Sequence, residues 1–278
     1  MIAINLSLIA CFCWGLSQFL AGSKARALPV LTLLAYTSAT GFTVFIICTI
    51  IRGMPMPSDP NLVFALLGGV AGISGVYCLY RGLAVGAVSI VVPVSALCAL
   101  VPVTASLIQG EIPHIIQAFG IVAALCGGVL ISLQKETRVE KLVTTRGIIP
   151  ALGAALGFGA FFMMMDVAGA VDPLWAATSS RLASFLLVLI AVSWKRPKLS
   201  INALHLPVVV MIGALDAAAA LAYTTATTFG MLSLVAVVSS LYPVVSVVLA
   251  AVFLKERLRG SQLIGVVLII LGIAMIST

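Results

Sequence analysis

Ten stretches of mostly apolar residues occupy nearly the whole chain, and they constrain its fold more than any motif does. They cover residues 3–21, 30–51, 61–83, 86–108, 113–133, 147–169, 173–194, 205–228, 231–254 and 260–277. About 20 apolar residues in a helix cross the hydrocarbon core of a bilayer. The apolar runs are continuous and do not alternate with polar residues, which indicates helices rather than a barrel. We therefore predict an all-α integral membrane protein with ten transmembrane helices.

Composition supports this prediction and excludes a soluble protein. Only 8% of the residues are charged and 62% are hydrophobic, whereas about 25% are charged in a typical soluble domain. A soluble chain of this length would expose far more apolar surface than monomers tolerate. The cysteines also lie within the apolar stretches, where a free thiol behaves as a small hydrophobe. We therefore expect neither a disulfide nor a metal site from Cys11, Cys13, Cys48, Cys78, Cys98 and Cys126.

The two halves of the chain repeat each other at a spacing of 144 residues, which becomes 145 after one inserted residue. Identical residues recur at this spacing in the pairs Gly15/Gly159, Pro29/Pro173, Arg52/Arg196, Gly69/Gly213, Gly86/Gly230, Ser89/Ser233, Glu111/Glu256, Gly120/Gly265 and Gly127/Gly272. Each half contains five stretches, and because five is odd the second half must be inverted in the membrane. We predict inverted five-helix repeats at 1–133 and 147–278, joined by a linker at 134–146. Such repeats are typical of transporters with a binding site near the membrane midplane.

The net charge of +7 could suggest a nucleic-acid partner, but the positions of the basic residues argue against one. Twelve of the 15 Lys and Arg residues lie in connections that follow odd-numbered stretches, whereas connections after even-numbered stretches contain only Arg52. Cytoplasmic loops of membrane proteins carry such an excess of basic residues. We therefore predict that both termini face away from the cytoplasm. The expected partners are the lipid bilayer and a small-molecule substrate, with no nucleic acid.

Ionisable residues within the apolar stretches are the sharpest indication of a site, because they are costly in hydrocarbon and usually face a cavity. Arg181 lies eight residues into the seventh stretch and Asp216 eleven residues into the eighth, so both have similar depth. One interpretation is a structural ion pair. The other is that Arg181 binds a substrate carboxylate, while Asp216 holds Arg181, binds a substrate amine or carries a proton. Asp216 is the candidate for proton coupling, and Asp166 is a third candidate site residue.

Aromatic and polar side chains on four stretches are further candidates for substrate binding. They are Trp14, Gln18, Tyr77, Tyr80, Tyr223 and Tyr242. Trp14 and Gln18 are one helical turn apart, and we expect Tyr77 and Tyr80 to share a face of the third helix. The alternative for each of them is a role in packing or in the aromatic belt at the membrane surface.

Prolines recur in corresponding stretches of the two halves. Pro93 and Pro102 lie in the fourth stretch, and Pro243 lies in the ninth. Proline in a helix interior removes a hydrogen bond and bends the helix. Interrupted helices in corresponding positions indicate the binding site of an inverted-repeat transporter, although these prolines could equally serve only to shape the helices.

Several segments resemble the EamA family of the drug/metabolite transporter (DMT) superfamily. The second half does so through SSLYP at 239–243, LKERL at 254–258 and QLIG at 262–265, and the first half through QGE at 109–111. The resemblance covers essentially the whole chain. The sequence departs from the family pattern in the fourth stretch, where the proline is displaced to Pro93 and Pro102. It also has Tyr36 and Thr37 where the family frequently has an arginine in the second helix.

This resemblance implies a ten-helix exporter in the bacterial inner membrane that carries small metabolites, such as amino acids, by alternating access. Alternatives are an exporter of drugs or flippase of lipid-linked sugars, and an uncoupled facilitator. We expect no enzyme activity, because the chain lacks a catalytic motif and its only histidines, His114 and His205, lie at stretch ends in different halves. We expect no cofactor and no metal, and either a monomer or a dimer.

Overall fold

The computed structural model describes residues 1–25, 28–85, 91, 94–132, 147–253 and 260–277. Over these residues the chain is helical, with 3₁₀ turns at Pro60–Leu62 and Leu97–Ala99 and without a β-strand. The helices are α1 (Ile2–Ala25), α2 (Val30–Arg52), α3 (Val63–Val85), α4 (Leu100–Ile108), α5 (Ile115–Ser132), α6 (Ile148–Gly169), α7 (Pro173–Lys195), α8 (Leu206–Thr227), α9 (Leu232–Ser240), α10 (Tyr242–Phe253) and α11 (Gly260–Ile276). Pro93 and the predicted linker 134–146 lie outside the described residues.

The helices account for the ten predicted spans. Seven helical segments of the described chain are long and apolar enough to cross a membrane, and one of these combines α9 with α10. The remaining three spans correspond to the shorter apolar helices Val94–Ile108, Ile115–Ile131 and Gly260–Ile276. The predicted fold class, an all-α membrane protein with ten spans in two repeats, is therefore confirmed.

The ninth span is broken at Leu241, which separates the fully buried α9 from α10. Pro243 follows the break as the second residue of α10, and Pro102 is the third residue of α4, directly after a 3₁₀ turn. We expected both prolines to bend helices from within. Both lie in the first turn that follows a break within the helical span, a position at which proline is tolerated. The breaks in the two halves correspond, but they precede Pro102 and Pro243.

Contacts between the halves follow a pseudo-twofold axis. Helices α5 and α11 pack against each other, as do α2 and α7, and each of these pairs consists of repeat counterparts. The α1–α8 contact likewise becomes the α6–α3 contact when every helix is exchanged for its counterpart. This is the packing that an inverted repeat requires.

The repeated glycines explain how the helices approach so closely. A Cβ on Gly15 would lie 2.6 Å from the carbonyl oxygen of Tyr242, and a Cβ on Gly159 would lie 2.7 Å from that of Cys98. Tyr242 and Cys98 are themselves repeat counterparts. In lipid, where apolar surfaces gain little by leaving solvent, small residues let backbones come into van der Waals contact. Gly15 and Gly159 thus lie where helices of the shared scaffold come into contact.

The two halves differ in how their first three helices pack. In the second half, α6, α7 and α8 contact one another, whereas no comparable packing joins α1, α2 and α3 in the part of the chain described. The space between α1, α2 and α3 belongs to a cavity. We call the end of the molecule that holds the last residues of α1 and the first of α2 the open end, and the opposite end the closed end.

Candidate functional site

A cavity lies between the two halves, with about 120 Å³ of space for water-sized molecules. This is several times the roughly 10–15 Å³ that one water needs. Its walls come from α1, α2, α3, α6, α7 and α8, with one residue from the start of α10. Both repeats therefore contribute to a single site.

The cavity extends from the middle of the bundle toward the open end. On α1 its lining runs from Trp14 to Ala21, near the last turn, and on α2 it begins at Leu33, near the first turn. On α3 it runs to Tyr80, again near the last turn. Because α1, α2 and α3 alternate in direction, these three ends lie on the same side of the bundle.

An ion pair between Arg181 and Asp216 forms part of the cavity wall. Arg181 Nη1 contacts Asp216 Oδ2, and Nη2 donates to the main-chain oxygen of Asp216 at 3.2 Å. From the other half, Trp14 Nε1 donates to Asp216 Oδ1 at 2.9 Å. The side chains are 13% and 34% exposed for Arg181 and Asp216 respectively, so both charges remain approachable from the cavity. The pairing expected from their equal depth is present.

The guanidinium of Arg181 has hydrogen-bonding capacity left for an anionic group. Its stem packs against α2, where a Cβ on Gly41 would lie 3.6 Å from Arg181 Cδ. Each of its terminal nitrogens carries two hydrogens, and Asp216 receives one bond from each. Arg181 can therefore bind a carboxylate while it still contacts Asp216.

Aromatic rings close the cavity on the side of the closed end. The ring of Trp14 lies with its centroid 5.7–6.5 Å from the centroids of Phe161, Phe162, Tyr223 and Tyr242. Tyr223 is fully buried, and its hydroxyl donates to the main-chain oxygen of Phe162 at 3.0 Å. Offset and edge contacts of this kind stabilise an aromatic cluster beyond its buried area. We call this cluster the aromatic floor, because it bounds the cavity on the side of the closed end.

The structure brings six of the predicted substrate-binding residues to the cavity and places two elsewhere. The six are Trp14, Gln18, Tyr80, Arg181, Asp216 and Tyr242. Tyr223 lies within the aromatic floor. Tyr77 is 41% exposed, with its ring 5.9 Å from Lys195 Nζ, and it does not line the cavity. The expectation that Tyr77 and Tyr80 share a face was wrong, because their angular offset of about 60° suffices to separate cavity from surface here. Asp166 does not line the cavity either.

Sequence reasoning missed several cavity residues, above all Phe158 and Phe162 on α6. These two are the repeat counterparts of Trp14 and Gln18, which had been identified. Carrying each candidate across the repeat would have found them. Thr37, the counterpart of Arg181, also lines the cavity.

At the closed end, α2 and α7 are joined by a second ion pair. Arg52 binds the two carboxylate oxygens of Asp172 through its two terminal nitrogens, Nη1 at 2.8 Å and Nη2 at 2.7 Å. Asp172 also caps α7 by accepting from the main-chain N–H of Trp175 at 2.9 Å. Asp172 lies in the connection between two spans. Its partial burial opposes ionisation, but the hydrogen bonds from Arg52 and from the Trp175 N–H prevail and lower the pKa of the carboxyl group.

Comparison with known proteins relates this arrangement to a family. The family model of the EamA-like transporter family matches residues 1–133 and again residues 145–278. No curated protein matches the chain. A solved crystal structure of a protein with 21% sequence identity superposes with a TM-score of 0.82, over 98% of this chain and 95% of the other. At that identity the likeness shows the fold alone.

Proposed function

The chain belongs to the EamA-like transporter family, and from that premise we propose that it exports an amino acid or a similar small zwitterion. Family membership makes the protein a membrane transporter of small molecules. The observation that carries the finer proposal is the approachable ion pair of Arg181 and Asp216 in the cavity wall.

A zwitterion suits this pair better than a ligand with a single charge. Without substrate, Arg181 and Asp216 neutralise each other, so neither charge is left unpaired away from water. An α-amino acid can offer its carboxylate to Arg181 and its ammonium group to Asp216, which leaves every charge compensated. A ligand that carried only one charge would leave the cavity with one uncompensated charge. The surrounding aromatic rings would contact the substrate side chain.

Charge placement supports the proposed direction of transport, which is export. Lys24 and Lys195 lie at the end of the bundle toward which the cavity opens. The excess of basic residues there supports a cytoplasmic location for the open end. Substrate would enter from the cytoplasm and leave after the closed end has opened, as alternating access requires. The membrane would be the bacterial inner membrane, with both termini on its outer side.

Asp216 is the proposed coupling residue if transport is driven by protons. Among the cavity-lining residues that the structure describes, it is the one carboxylate. A protonated Asp216 would release Arg181 and lose its attraction for an ammonium group, which links proton binding to substrate binding. Uncoupled facilitation is the alternative, and it needs no titrating group.

A second candidate function is export of hydrophobic drugs or flipping of lipid-linked sugars. It is favoured by the aromatic rings on the cavity wall, which are those of Trp14, Tyr80, Phe158, Phe161, Phe162 and Tyr242. In that case the ion pair would be structural and the rings would bind the substrate.

Uptake of labelled amino acids into proteoliposomes tests the proposal. Wild-type protein is compared with Asp216→Asn, with and without a pH gradient. The matched control is Asp59→Asn, which removes a carboxylate from an exposed loop position. We expect saturable uptake by the wild type and the control, and strongly reduced uptake by Asp216→Asn.

The pH gradient separates coupled from uncoupled transport. If the gradient accelerates wild-type uptake but not the residual uptake of Asp216→Asn, then Asp216 carries the proton. If folded wild-type protein takes up no amino acid of the panel, the amino acid proposal is wrong. Drugs and lipid-linked sugars then become the substrates to test.

A further inference from the structure

The α2–α7 contact at the closed end contains two polar links between the halves. One is the bidentate pair of Arg52 and Asp172. The other joins the buried hydroxyls of Thr49 and Thr178, whose oxygens are 2.9 Å apart. Because α2 and α7 are repeat counterparts, the pseudo-twofold axis assigns each of these links a counterpart at the open end.

The counterpart of the threonine link is not formed. Thr49 corresponds to Ser193 and Thr178 corresponds to Leu34. Ser193 is exposed, and Leu34 lines the cavity. Because Leu34 has no hydroxyl, α2 and α7 cannot make this link at the open end.

A contact within the second half behaves in the same way. Tyr223 on α8 donates a hydrogen bond to the main-chain oxygen of Phe162 on α6. Their counterparts, Leu79 on α3 and Gln18 on α1, line the cavity instead. The cavity therefore occupies the place where contacts seen in the second half would recur in the first. Exchanging the roles of the halves would close the open end and open the closed end.

The two hydrogen bonds cannot re-form after such an exchange, because Leu34 and Leu79 have no polar side-chain group, and the ion pair cannot re-form either. Arg52 has a basic counterpart in Arg196, but the counterpart of Asp172 is Leu28, which is apolar. The exchanged state can therefore recreate the α2–α7 contact without an ion pair. An ion pair that only one of two states can form stabilises that state relative to the other.

We propose that Arg52 and Asp172 form a latch that biases the resting protein toward the state closed at their end. The latch is a gating pair for the transport reaction and does not touch substrate. The inference rests on the proposed function in one respect only, that a carrier must populate two states. It makes no use of the substrate's identity.

Two native cysteines report on the exchange without any added label site. Cys98 is fully buried, whereas its counterpart Tyr242 lines the cavity. Cys98 should therefore become accessible in the exchanged state. Cys11 is buried, and so is its counterpart Ala155, so Cys11 should stay protected in both states. Labelling of Cys11 marks unfolding.

The experiment measures the rate at which N-ethylmaleimide labels each thiol in reconstituted protein, with labelled peptides identified by mass spectrometry. The test variant is Asp172→Asn, because asparagine keeps the N-cap of α7 while it removes the charge. Asp59→Asn is the matched control, since this exposed carboxylate lies at the same end and binds only the main-chain N–H of Asn61 among described groups. Arg52→Gln removes the other partner.

We expect Asp172→Asn and Arg52→Gln to raise the labelling rate of Cys98 by up to about fivefold, the ceiling for a partly exposed ion pair. Cys11 and the Asp59→Asn control should be unchanged. An unchanged Cys98 rate in both latch variants would overturn the proposal. If wild-type protein took up no amino acid, the substrate assignment would be contradicted. The labelling result for the latch would not be affected.

If a latch variant also exposes Cys11, a cross-linking experiment tests the proposed latch instead. In Leu34→Cys/Ser193→Cys protein, a disulfide can form only when α2 and α7 meet at the open end. The latch requires a higher disulfide yield with Arg52→Gln than with Arg52→Lys, which keeps the charge. Equal yields would refute it.

Discussion

The packed helices α6–α8 and the separated helices α1–α3 occupy equivalent positions in the two repeats, yet they contribute differently to the cavity. The second half supplies both charges, Arg181 and Asp216. The equivalent positions in the first half are the neutral Thr37 and Gly72, which line the same cavity. The first half contributes Trp14, whose indole N–H donates a hydrogen bond to the carboxylate of Asp216 in the second half.

This difference separates what the repeat preserves from what it changes. The glycines that recur, such as Gly15 and Gly159, lie where backbones touch and serve the common scaffold. Each ion pair depends on a residue that does not recur, because Asp172 and Leu28 differ just as Arg181 and Thr37 do. The proposed binding site and the proposed latch thus depend on positions at which the halves have diverged.

The largest effect is expected when the charge asymmetry is removed. Arg181→Leu makes the second half as uncharged at this position as the first, and it leaves Asp216 without its cation. A hydrogen bond to a charged group contributes about 1.5–3 kcal/mol, so we expect amino acid uptake to fall by about 10- to 100-fold. Arg181→Lys keeps the charge but not the bidentate geometry and should fall in between. Undiminished uptake by Arg181→Leu would show that the arginine is only structural.

The shared scaffold should be sensitive to its glycines. A Cβ on Gly69 would lie 2.1 Å from the main-chain oxygen of Ser180, whereas a Cβ on Gly22 would meet nothing within 4 Å. Overpacking costs about 1–3 kcal/mol, so Gly69→Ala should lower the Tm of the detergent-solubilised protein by several degrees. Gly22→Ala is the control and should keep or raise the Tm, because alanine favours a helix. Equal Tm values for the two variants would contradict the close approach.

The hydrogen bond from Trp14 to Asp216, which links the halves, should contribute less to transport than Arg181 does. Trp14→Phe gives the first half the residue that its counterpart, Phe158, already has, and it removes one hydrogen bond to the carboxylate. We expect the apparent affinity for substrate to fall by about tenfold, the lower end of the range for a charged acceptor. Trp194→Phe is the control, since Trp194 is 84% exposed. If both variants bind equally well, the indole of Trp14 does not position Asp216.

The smallest effect concerns the pH dependence of the closed end. Because the pKa of Asp172 is lowered in the folded protein, its stabilisation is fully present above the unfolded value of about 3.9. It is lost as the pH falls through the lower folded value. The difference in Tm between wild type and Asp172→Asn should therefore be constant from pH 5 to 8 and shrink below about pH 4. A difference that already shrinks at pH 6 would mean that another group titrates.

The sequence predicts the fold well and the site in part. Ten apolar stretches and an odd number of helices in each repeat leave few alternatives to an inverted bundle, and helical rise predicts that Arg181 and Asp216 have similar depth. The side of the third helix on which Tyr77 lies could not be predicted from helical rise. A helix that is apolar on every side carries little periodic signal for its rotation about its own axis. Phe161 in the aromatic floor was not predicted for a second reason. Its repeat counterpart is the small residue Ser17, which gives no indication of an aromatic side chain.

Competition for binding tests the central claim, that Arg181 and Asp216 together recognise a zwitterion. A labelled amino acid that the protein transports is displaced by the unlabelled compound, by the amine that lacks its carboxylate and by the acid that lacks its amino group. We predict that both single-charge analogues compete at least about tenfold more weakly, since each lacks one charged contact and leaves one charge in the cavity uncompensated. Equal competition by the amine, or by an uncharged aromatic compound of the same size, would contradict the account.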